Sequence, residues 1–313
     1  MIDAWKIMKP KYHHYTYREV LGASEKINWR VEDIIGGDKT LDLNRPFMPE
    51  TLARTEPLEF LSSIERLRLN QIRGHGYLAL FGLLEEVILP FVLDHARAQL
   101  EDDDYRVRSL LEFAGEEAKH MHLFKRFREE FDNCFGTACQ IIGPADKIRQ
   151  EFLSHDSLAI ALFILQGEWM TQSHYTDSVK QNGDVDPLFK SLLKHHWMEE
   201  AQHAKLDTLM VEALAASRNK REIEGAVDEY IEMTKFLDAG LRQQAELDLE
   251  SLTQATGRTF PGDERETYME IQHGAMRWTF LGSGMTHPNF LATLEYLSPA
   301  AKNRVGSVAL AYR

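Results

Sequence analysis

The hydrophobic and polar positions of this 313-residue chain follow a helical period from about residue 60 onward. Apolar side chains recur at intervals of three and four residues, which places them along one face of an α-helix. No stretch of useful length alternates between apolar and polar residues in the manner of a half-buried strand. The pattern therefore predicts an all-α protein.

Capping and turn residues divide this pattern into four long helices. They run from a capping box at Ser62 to about Leu100, from Asp103 to about Phe131, from Asp156 to about Lys180, and from Asp186 to about Ala216. The first stretch is either one helix or a pair of helices broken near Gly74 and Gly76, and a kink is expected at Pro90. Four helices of this length predict a four-helix bundle.

The two ends of the chain carry a different pattern. Residues 1 to about 57 look irregular, because prolines and the Gly36-Gly37 turn interrupt them. Residues 219–250 predict a charged amphipathic fifth helix that packs outside the bundle, and the last fifty residues suggest shorter helices. We therefore expect a single domain over 1–313, with a bundle core at about 60–217 and appended helices at 218–313.

Two copies of a Glu-x-x-His motif interrupt the apolar faces of the second and fourth helices. Glu117 and His120 share a stripe with phenylalanines, and Glu200 and His203 lie on a corresponding stripe. Residues three apart share a helical face, so each pair can hold one metal ion together. A buried charge without a partner is costly, so both pairs need a ligand or a counter-charge.

Single carboxylates accompany these motifs on the other two helices. Glu168 is the only acidic residue within the apolar third helix. On the first helix, Glu85 and Glu86 are adjacent and point about 100° apart, so only one of them can face the core directly. The small neighbours of Glu86 leave room beside a metal cluster and favour it, while Glu85 remains the alternative. By the same geometry, Glu116 is expected on the outer face of its helix, beside Lys119.

The chain thus presents Glu, Glu-x-x-His, Glu and Glu-x-x-His, the order of ligands around two bridged metal ions in a four-helix bundle. His196 lies one turn before Glu200 and faces the same position, either as a third imidazole ligand or as a support for a carboxylate. The expected metal ligands are Glu86, Glu117, His120, Glu168, His196, Glu200 and His203. Carboxylates and imidazoles without thiolates favour two iron ions, or manganese. The competing interpretation is a bundle with buried Glu–His ion pairs and no metal.

This ligand pattern resembles the p-aminobenzoate N-oxygenase (AurF-like) family of ferritin-like di-iron oxygenases, over about residues 60–217. In that family a third histidine precedes the last Glu-x-x-His at the spacing that His196 has here. The resemblance implies a non-haem di-iron centre that activates dioxygen and oxidises an amine nitrogen through hydroxylamine toward nitro. The partners that it implies are a small-molecule substrate (an amine), O2 and an electron donor. Ala79, Gly82 and Gly167 are small residues near the ligand turns and leave room for that substrate.

Two other classes of di-iron protein share the ligand order. A ferritin-like iron-handling protein, either a ferroxidase or a peroxide scavenger, is the alternative function, although such proteins are usually compact bundles without appended ends. The small subunit of ribonucleotide reductase has a radical tyrosine two turns past its second carboxylate, where this chain has Phe124. The sequence therefore favours an oxygenase or oxidase.

Composition limits the partners and the cellular compartment that are expected for the protein. The net charge of −13 argues against nucleic acid or an anionic membrane as a partner. No apolar run approaches the roughly 20 residues that span a bilayer, and the N-terminus lacks the apolar segment of a signal peptide. Cys134 and Cys139 are expected to be reduced thiols. These features predict a cytoplasmic protein, and a homodimer is the default expectation for its assembly.

Overall fold

The computed structural model of the chain describes residues 12–98, 100 and 103–312. Every regular element in this part of the chain is helical, as the sequence predicted. The α-helices are, in chain order, α1 (Tyr17–Ser24), α2 (Val31–Ile34), α3 (Glu50–Ala53), α4 (Ser63–Arg97), α5 (Asp104–Phe135), α6 (Ala145–Leu153), α7 (Ser157–Ser173), α8 (Pro187–Ala216), α9 (Lys220–Thr256), α10 (Gly262–Arg277), α11 (Ser283–Met285), α12 (Pro288–Leu297) and α13 (Pro299–Ala309). Two π-helical segments, His174–Val179 and Trp278–Gly282, and a 3₁₀ turn, Leu310–Tyr312, complete the described elements.

The four long helices predicted from the sequence are α4, α5, α7 and α8. α4 packs against α5 and α7 packs against α8, so the bundle consists of two helical hairpins, which meet where α5 contacts α8. Their N-termini begin where the capping signals indicated. Ser62 forms a capping box at α4, and the side chains of Asp103, Asp156 and Asp186 cap α5, α7 and α8.

α4 is a single helix, the first of the two alternatives that the sequence left open. Gly74, Gly76 and Pro90 all lie inside the helix. Gly74 is instead a packing position, because a Cβ there would lie 2.8 Å from the Cβ of Phe47. The pair of helices is therefore excluded, and the missing side chain at Gly74 lets the N-terminal segment approach α4 closely.

α7 ends at Ser173, earlier than expected, and the chain continues as the π-helix His174–Val179. Wide turns of this kind occur mostly as short insertions and often at functional sites. Here the imidazole of His174 is hydrogen-bonded to the hydroxyls of Tyr77 at 3.0 Å and Ser283 at 3.1 Å. These buried bonds join the end of α7 to α4 and α11.

The N-terminal segment, which was expected to be irregular, contains α1, α2 and α3 in its described part. α1 packs against α5 and α8, and Trp29 in the following turn is almost completely buried. These helices were missed because each provides only one or two turns of periodicity. They matter for the site, since both α1 and Trp29 reach residues that surround the predicted metal position.

The C-terminal third closes one side of the bundle. α9 packs against α4 and α7, outside the four bundle helices, as expected. α11 lies against α7 so closely that a Cβ on Gly284 would be 2.5 Å from the carbonyl oxygen of Gln166. This packing brings Leu237 of α9 and Phe280 of the second π-helix next to α4 and α7.

Among the helices of the described residues, only α4 has the length and composition of a membrane-spanning segment. The buried share of its most apolar window is 56%. The central helix of a bundle has this same composition, because its neighbours cover it on several sides. The apolar character of α4 is therefore accounted for by its position in the core.

Candidate metal centre

The two Glu-x-x-His motifs meet in the centre of the bundle, where α5 and α8 approach each other. Glu117, His120, Glu200 and His203 each have at most 2% of their surface exposed. One potential ligand atom from each of the four lies within 4.8 Å of the others. The structure therefore brings together the four residues that the sequence placed on separate buried stripes.

A second group of potential ligands lies beside the first and overlaps with it. It consists of Glu85, His120, His196 and Glu200, again with ligand atoms within 4.8 Å of one another. The two groups share His120 and Glu200. Two overlapping groups of this size describe two adjacent metal positions, as a bridged di-metal centre requires.

Glu117 and Glu200 each place one carboxylate oxygen near His203 and the other near His120. Oε1 of Glu117 lies 3.0 Å from His203 Nδ1, and its Oε2 lies 3.5 Å from His120 Nδ1. Oε2 of Glu200 lies 3.3 Å from His203 Nδ1, and its Oε1 lies 3.1 Å from His120 Nδ1. Each carboxylate thus faces His203 with one oxygen and His120 with the other, and both residues would hold metal ions bound between these histidines.

His196 lies on the His120 side of the centre. Its Nε2 is 2.6 Å from Oε1 of Glu200 and 3.5 Å from Oε1 of Glu85. Burial lowers the pKa of His196, which keeps the imidazole neutral. A neutral imidazole nitrogen that points at two carboxylates is in the form that binds a metal ion.

The donor set fits two divalent cations by a test that is independent of the sequence motif. Eight buried polar atoms around this point lack a hydrogen-bond partner of adequate geometry. They are Glu85 Oε2, Glu117 Oε1 and Oε2, His120 Nδ1, Glu168 Oε2, His196 Nε2, Glu200 Oε1 and His203 Nδ1. One unsatisfied buried polar group costs about 1–3 kcal/mol, so eight in one place call for a common partner. Carboxylates and imidazoles together suit iron or manganese.

The residue that precedes each Glu-x-x-His motif orients the histidine of the other motif. Nε2 of His203 donates to Oε2 of Glu116 at 2.8 Å, and Nε2 of His120 donates to Oε2 of Glu199 at 2.9 Å. These bonds fix the tautomer that turns each Nδ1 toward the metal positions. Carboxylates that hold metal-binding imidazoles in this way raise the basicity of the ligand and fix its direction.

The expectation that Glu116 lies on the outer face of α5 is wrong. Its side chain is buried and also accepts a hydrogen bond from the hydroxyl of Ser24 at the end of α1. Burial alone would raise the pKa of Glu116, but the bonds from His203 and Ser24 outweigh it and hold the pKa below its usual value. α1 covers a face that the periodicity of α5 alone marks as outer. The repeated Glu-Glu-x-x-His was the signal in the sequence that could have identified this role.

Lys119 and Trp29 complete the surroundings of Glu199. The ammonium group of Lys119 donates to Glu199 and lies over the ring of Trp29, 4.1 Å from its centroid. The Trp29 ring is also nearly parallel to the imidazole of His120, with centroids 6.1 Å apart. The buried charge of Glu199 is therefore balanced on one side by a cation and on the other by an imidazole N–H.

The structure places only one of the two adjacent carboxylates of α4 at the cluster. Glu85 is 2% exposed and reaches the cluster, whereas Glu86 is partly exposed and accepts a hydrogen bond of 2.7 Å from Arg149 of α6. The sequence analysis favoured Glu86 because its neighbours are small. The large neighbours of Glu85, such as Phe81 and Ile88, instead mark the face that is buried in the core. Bulky neighbours of a carboxylate thus marked the side of the helix that faces the cluster.

Glu168 lies at the edge of the centre, outside the two four-residue groups. Its carboxyl group is 3% exposed and hydrogen-bonds to Glu200. Burial and the negative charge of Glu200 raise the pKa of Glu168 well above its usual value. Burial also acts to raise the pKa of Glu200, but His196 and His203 outweigh it and lower the pKa well below its usual value.

Asp207 is a further buried acid, one turn after His203 on the same stripe. It is completely buried, and neither of its carboxyl oxygens has a hydrogen-bond partner. Burial raises its pKa well above the usual value, while the positive charge of His203 acts in the opposite direction. The sequence analysis did not include Asp207 among the ligands, and it lies outside both groups of ligand atoms.

Comparison with known families gives one match that covers more than half of the chain. The family model described as "P-aminobenzoate N-oxygenase AurF" matches residues 13–228. All the residues of the candidate centre lie within this range. No curated protein sequence matches the chain.

Comparison with solved structures gives chains that are similar to this one over most of their length. One is an R2-like ligand-binding oxidase, a glycine-to-phenylalanine variant with an aerobically reconstituted Mn/Fe cofactor, with a TM-score of 0.50, 16% identity, and coverage of 90% of this chain and 98% of the other. A glycine-to-leucine variant with an Fe/Fe cofactor has a TM-score of 0.48 and 15% identity, and covers 88% and 93%. At 16% identity the likeness to the first of these chains concerns the fold alone.

Proposed function

Because the chain belongs to the p-aminobenzoate N-oxygenase (AurF) family, we propose that it is an N-oxygenase that uses dioxygen to oxidise the nitrogen of an amine. Family membership and the two buried clusters support the coarser assignment, an oxidoreductase with a di-metal centre. The observation that carries the finer proposal is the position of His196. A third imidazole points into the cluster, and the family resemblance associates this residue with amine oxidation.

The proposed metal ligands differ from the sequence-based set at one residue. Glu85 takes the place of Glu86, because only Glu85 reaches the cluster. The full set is Glu85, Glu117, His120, Glu168, His196, Glu200 and His203. Glu116 and Glu199 orient two of the imidazoles from behind. Two iron ions, or manganese in their place, suit these ligands.

The proposed reaction balances with one external donor of electrons. One atom of O2 is transferred to the amine nitrogen and gives a hydroxylamine, and the other atom is released as water. Two electrons from a reductant and two protons complete the balance. Bound metal ions supply the activation of O2. The chain supplies their placement and excludes water, since each proposed ligand is at most 3% exposed.

The proposal is tested by loading the metal-free protein with Fe²⁺ and measuring metal content, O2 uptake and amine oxidation in the presence of a reductant. We expect two ions per chain and a hydroxylamine or nitro product by mass spectrometry. His196→Ala should lose this product. The matched control is His195→Ala, because the adjacent His195 bonds to the carbonyl of Ser191 and lies outside both ligand groups.

Two results would contradict the proposal. If O2 is consumed with Fe²⁺ alone and no amine in a broad panel is oxidised, the protein handles iron and is not an N-oxygenase. If His196→Ala oxidises amines at the wild-type rate, the third imidazole does not carry the activity.

A further inference from the structure

A small apolar cavity lies between α4 and α7, and its volume is about 50 Å³. Among the described residues that line it, Gln166 is the only one with a polar side chain, and the others are aliphatic, aromatic or glycine. Of the three small residues named from the sequence, Gly167 is the one in this lining. None of the proposed metal ligands belongs to the described lining, so the cavity is a space separate from the metal centre.

The polar atoms of the Gln166 side chain already have partners inside the protein. The amide nitrogen donates to the carbonyl oxygen of Phe280 at 3.0 Å, and the amide oxygen accepts from the hydroxyl of Tyr230 at 2.7 Å. A buried water molecule makes about three hydrogen bonds, whereas a cavity with apolar walls stays dry. We therefore expect this cavity to hold a molecule that needs no hydrogen bond.

The volume of the cavity limits the size of that molecule. An apolar cavity of roughly 150 Å³ in a protein core binds benzene or xenon, and this cavity has about a third of that volume. An aromatic ring is too large for it, whereas a diatomic gas fits. O2 is apolar, so its transfer from water into an apolar space is favourable. Size and polarity thus both select a small apolar gas.

The two helices that form the sides of the cavity also carry metal ligands. On α4, Leu84 lines the cavity and Glu85 follows it in the chain; on α7, Gly167 lines the cavity and Glu168 follows it. Successive residues of an α-helix point about 100° apart, so on each helix the face toward the cavity is next to the face that carries the ligand. The cavity therefore lies at the level of the metal centre in the bundle.

Phe81 connects the wall of the cavity with a ligand on a third helix. Its ring lines the cavity and contacts the imidazole of His196 on α8 edge to face, with centroids 5.5 Å apart. His196 and Glu85 belong to the same group of potential ligands. The cavity is therefore next to the metal position that this group forms, on the side where Phe81 separates the two spaces.

We propose that this cavity binds dioxygen and holds it beside the metal position of Glu85 and His196. No covalent bond forms or breaks in the cavity. Dispersion contacts with the wall hold the gas, and the wall excludes water, so O2 is concentrated next to the ligands that Phe81 contacts. This inference rests on the proposed function only because that reaction consumes O2, since binding of the gas is a property of the metal-free protein.

NMR spectroscopy of the methyl-labelled, metal-free protein under O2 pressure tests binding directly. O2 is paramagnetic and speeds the relaxation of nearby methyl protons, and the same pressure of N2 provides the diamagnetic reference. We expect the largest enhancement at the methyl groups of Leu80, Val87 and Met170, which line the cavity and are buried. Leu69 and Val211 are equally buried but lie outside the lining, so they are the internal controls.

Two variants that reduce the space test whether O2 binds at this place. Gly167→Ala should lower the enhancement, because the added Cβ lies 3.1 Å from Cδ2 of Leu84 and takes up part of the cavity. Gly82→Ala is the matched control, since no atom lies within 4 Å of a Cβ there and Gly82 is not in the lining. Val87→Ile adds a methyl group to the wall from α4 and keeps the test decisive if Gly167→Ala does not fold.

The iron-loaded protein shows whether the cavity supplies O2 to the centre. The initial rate of O2 uptake is measured as a function of O2 concentration with a fixed amount of reductant. Gly167→Ala and Val87→Ile should each raise the KM for O2 at least about threefold, with metal content and kcat close to those of wild type. Gly82→Ala should leave the KM for O2 unchanged.

The outcomes separate this inference from the proposed function. If the methyl groups of the lining relax no faster than the internal controls under O2, or if Gly167→Ala and Val87→Ile keep the wild-type enhancement, the inference is wrong and N-oxygenation is not affected. If O2 binds but neither variant changes the KM for O2, the cavity does not supply the centre, and the inference is also overturned. If the KM changes as expected but no amine is oxidised, the proposed function fails while the O2 site stands.

Discussion

His203 on α8 and Glu116 on α5 are 87 residues apart in the chain and share a buried hydrogen bond of 2.8 Å. The imidazole therefore has only its Nδ1 available for a metal ion. His120 and Glu199 repeat this relationship in the opposite direction. Each Glu-x-x-His motif thus depends on the helix of the other motif for the orientation of its histidine.

Glu116→Gln should weaken metal binding about 10- to 100-fold, because an amide holds the imidazole N–H of His203 less strongly than a carboxylate. The measurement is metal content after competition with a chelator of known affinity. Glu112→Gln is the matched control, since Glu112 lies one turn earlier on α5 and is exposed. Equal metal affinity in both variants would show that the bond to His203 does not support metal binding.

Glu85→Gln should lose metal, whereas Glu86→Gln should retain two ions per chain. The reason is that Glu85 faces the cluster and Glu86 pairs with Arg149. The Glu86–Arg149 pair is about one third exposed on both sides, so its loss should change the free energy of unfolding by no more than about 1 kcal/mol. Elemental analysis measures the metal content of both variants. If Glu86→Gln loses metal and Glu85→Gln retains it, Glu86 is the ligand.

Gly74→Ala should lower the free energy of unfolding by about 1–3 kcal/mol, because the added methyl group collides with the Cβ of Phe47. Gly82→Ala on the same helix should instead raise it by about 0.4–1 kcal/mol, since its Cβ meets nothing and alanine restricts the unfolded chain. Denaturant unfolding of the two variants tests this difference. A similar change in both would contradict the close packing of the N-terminal segment on α4.

His174 should make the metal-free protein sensitive to acid. Burial lowers the pKa of His174 from 6.5 to about 3, so the folded state binds its proton later than the unfolded chain does. The contribution of His174 to the free energy of unfolding is fully present above pH 6.5. It falls by about 1.4 kcal/mol per pH unit as the pH decreases toward 3. Gln at this position cannot be protonated in the range. The free energy of unfolding of His174→Gln should therefore decline less between pH 7 and 5 than that of wild type, and parallel curves would refute the assignment.

The sequence was informative where chemistry and helical period coincide. Glu117, His120, Glu200 and His203 fall at spacings of three on apolar stripes, and such spacing fixes the face on which they lie. The start of α8 was predicted for a similar reason. Asp186 caps the helix and Pro187 occupies its first turn, so both signals are local. Local rules therefore give the helices and the principal ligands.

The sequence was less informative where a second element decides which face is buried. The choice between Glu85 and Glu86 depends on α6, which supplies Arg149 to one of them. The burial of Glu116 depends on Ser24, which α1 brings from 92 residues away. Periodicity within one helix contains no information about such partners. The apolar cavity between α4 and α7 is also hidden from the sequence, since Leu237 of α9 and Phe280 complete its lining.

The exchange of partners between the motifs has a consequence for how this protein could have changed over time. α5 provides Glu117 and His120 but not the carboxylate that orients His120, and α8 has the corresponding deficiency. A single hairpin copied on its own would leave its imidazole without orientation. A change at residue 116 would therefore need compensation at residue 203 in the other half of the chain, not at residue 120 of its own helix.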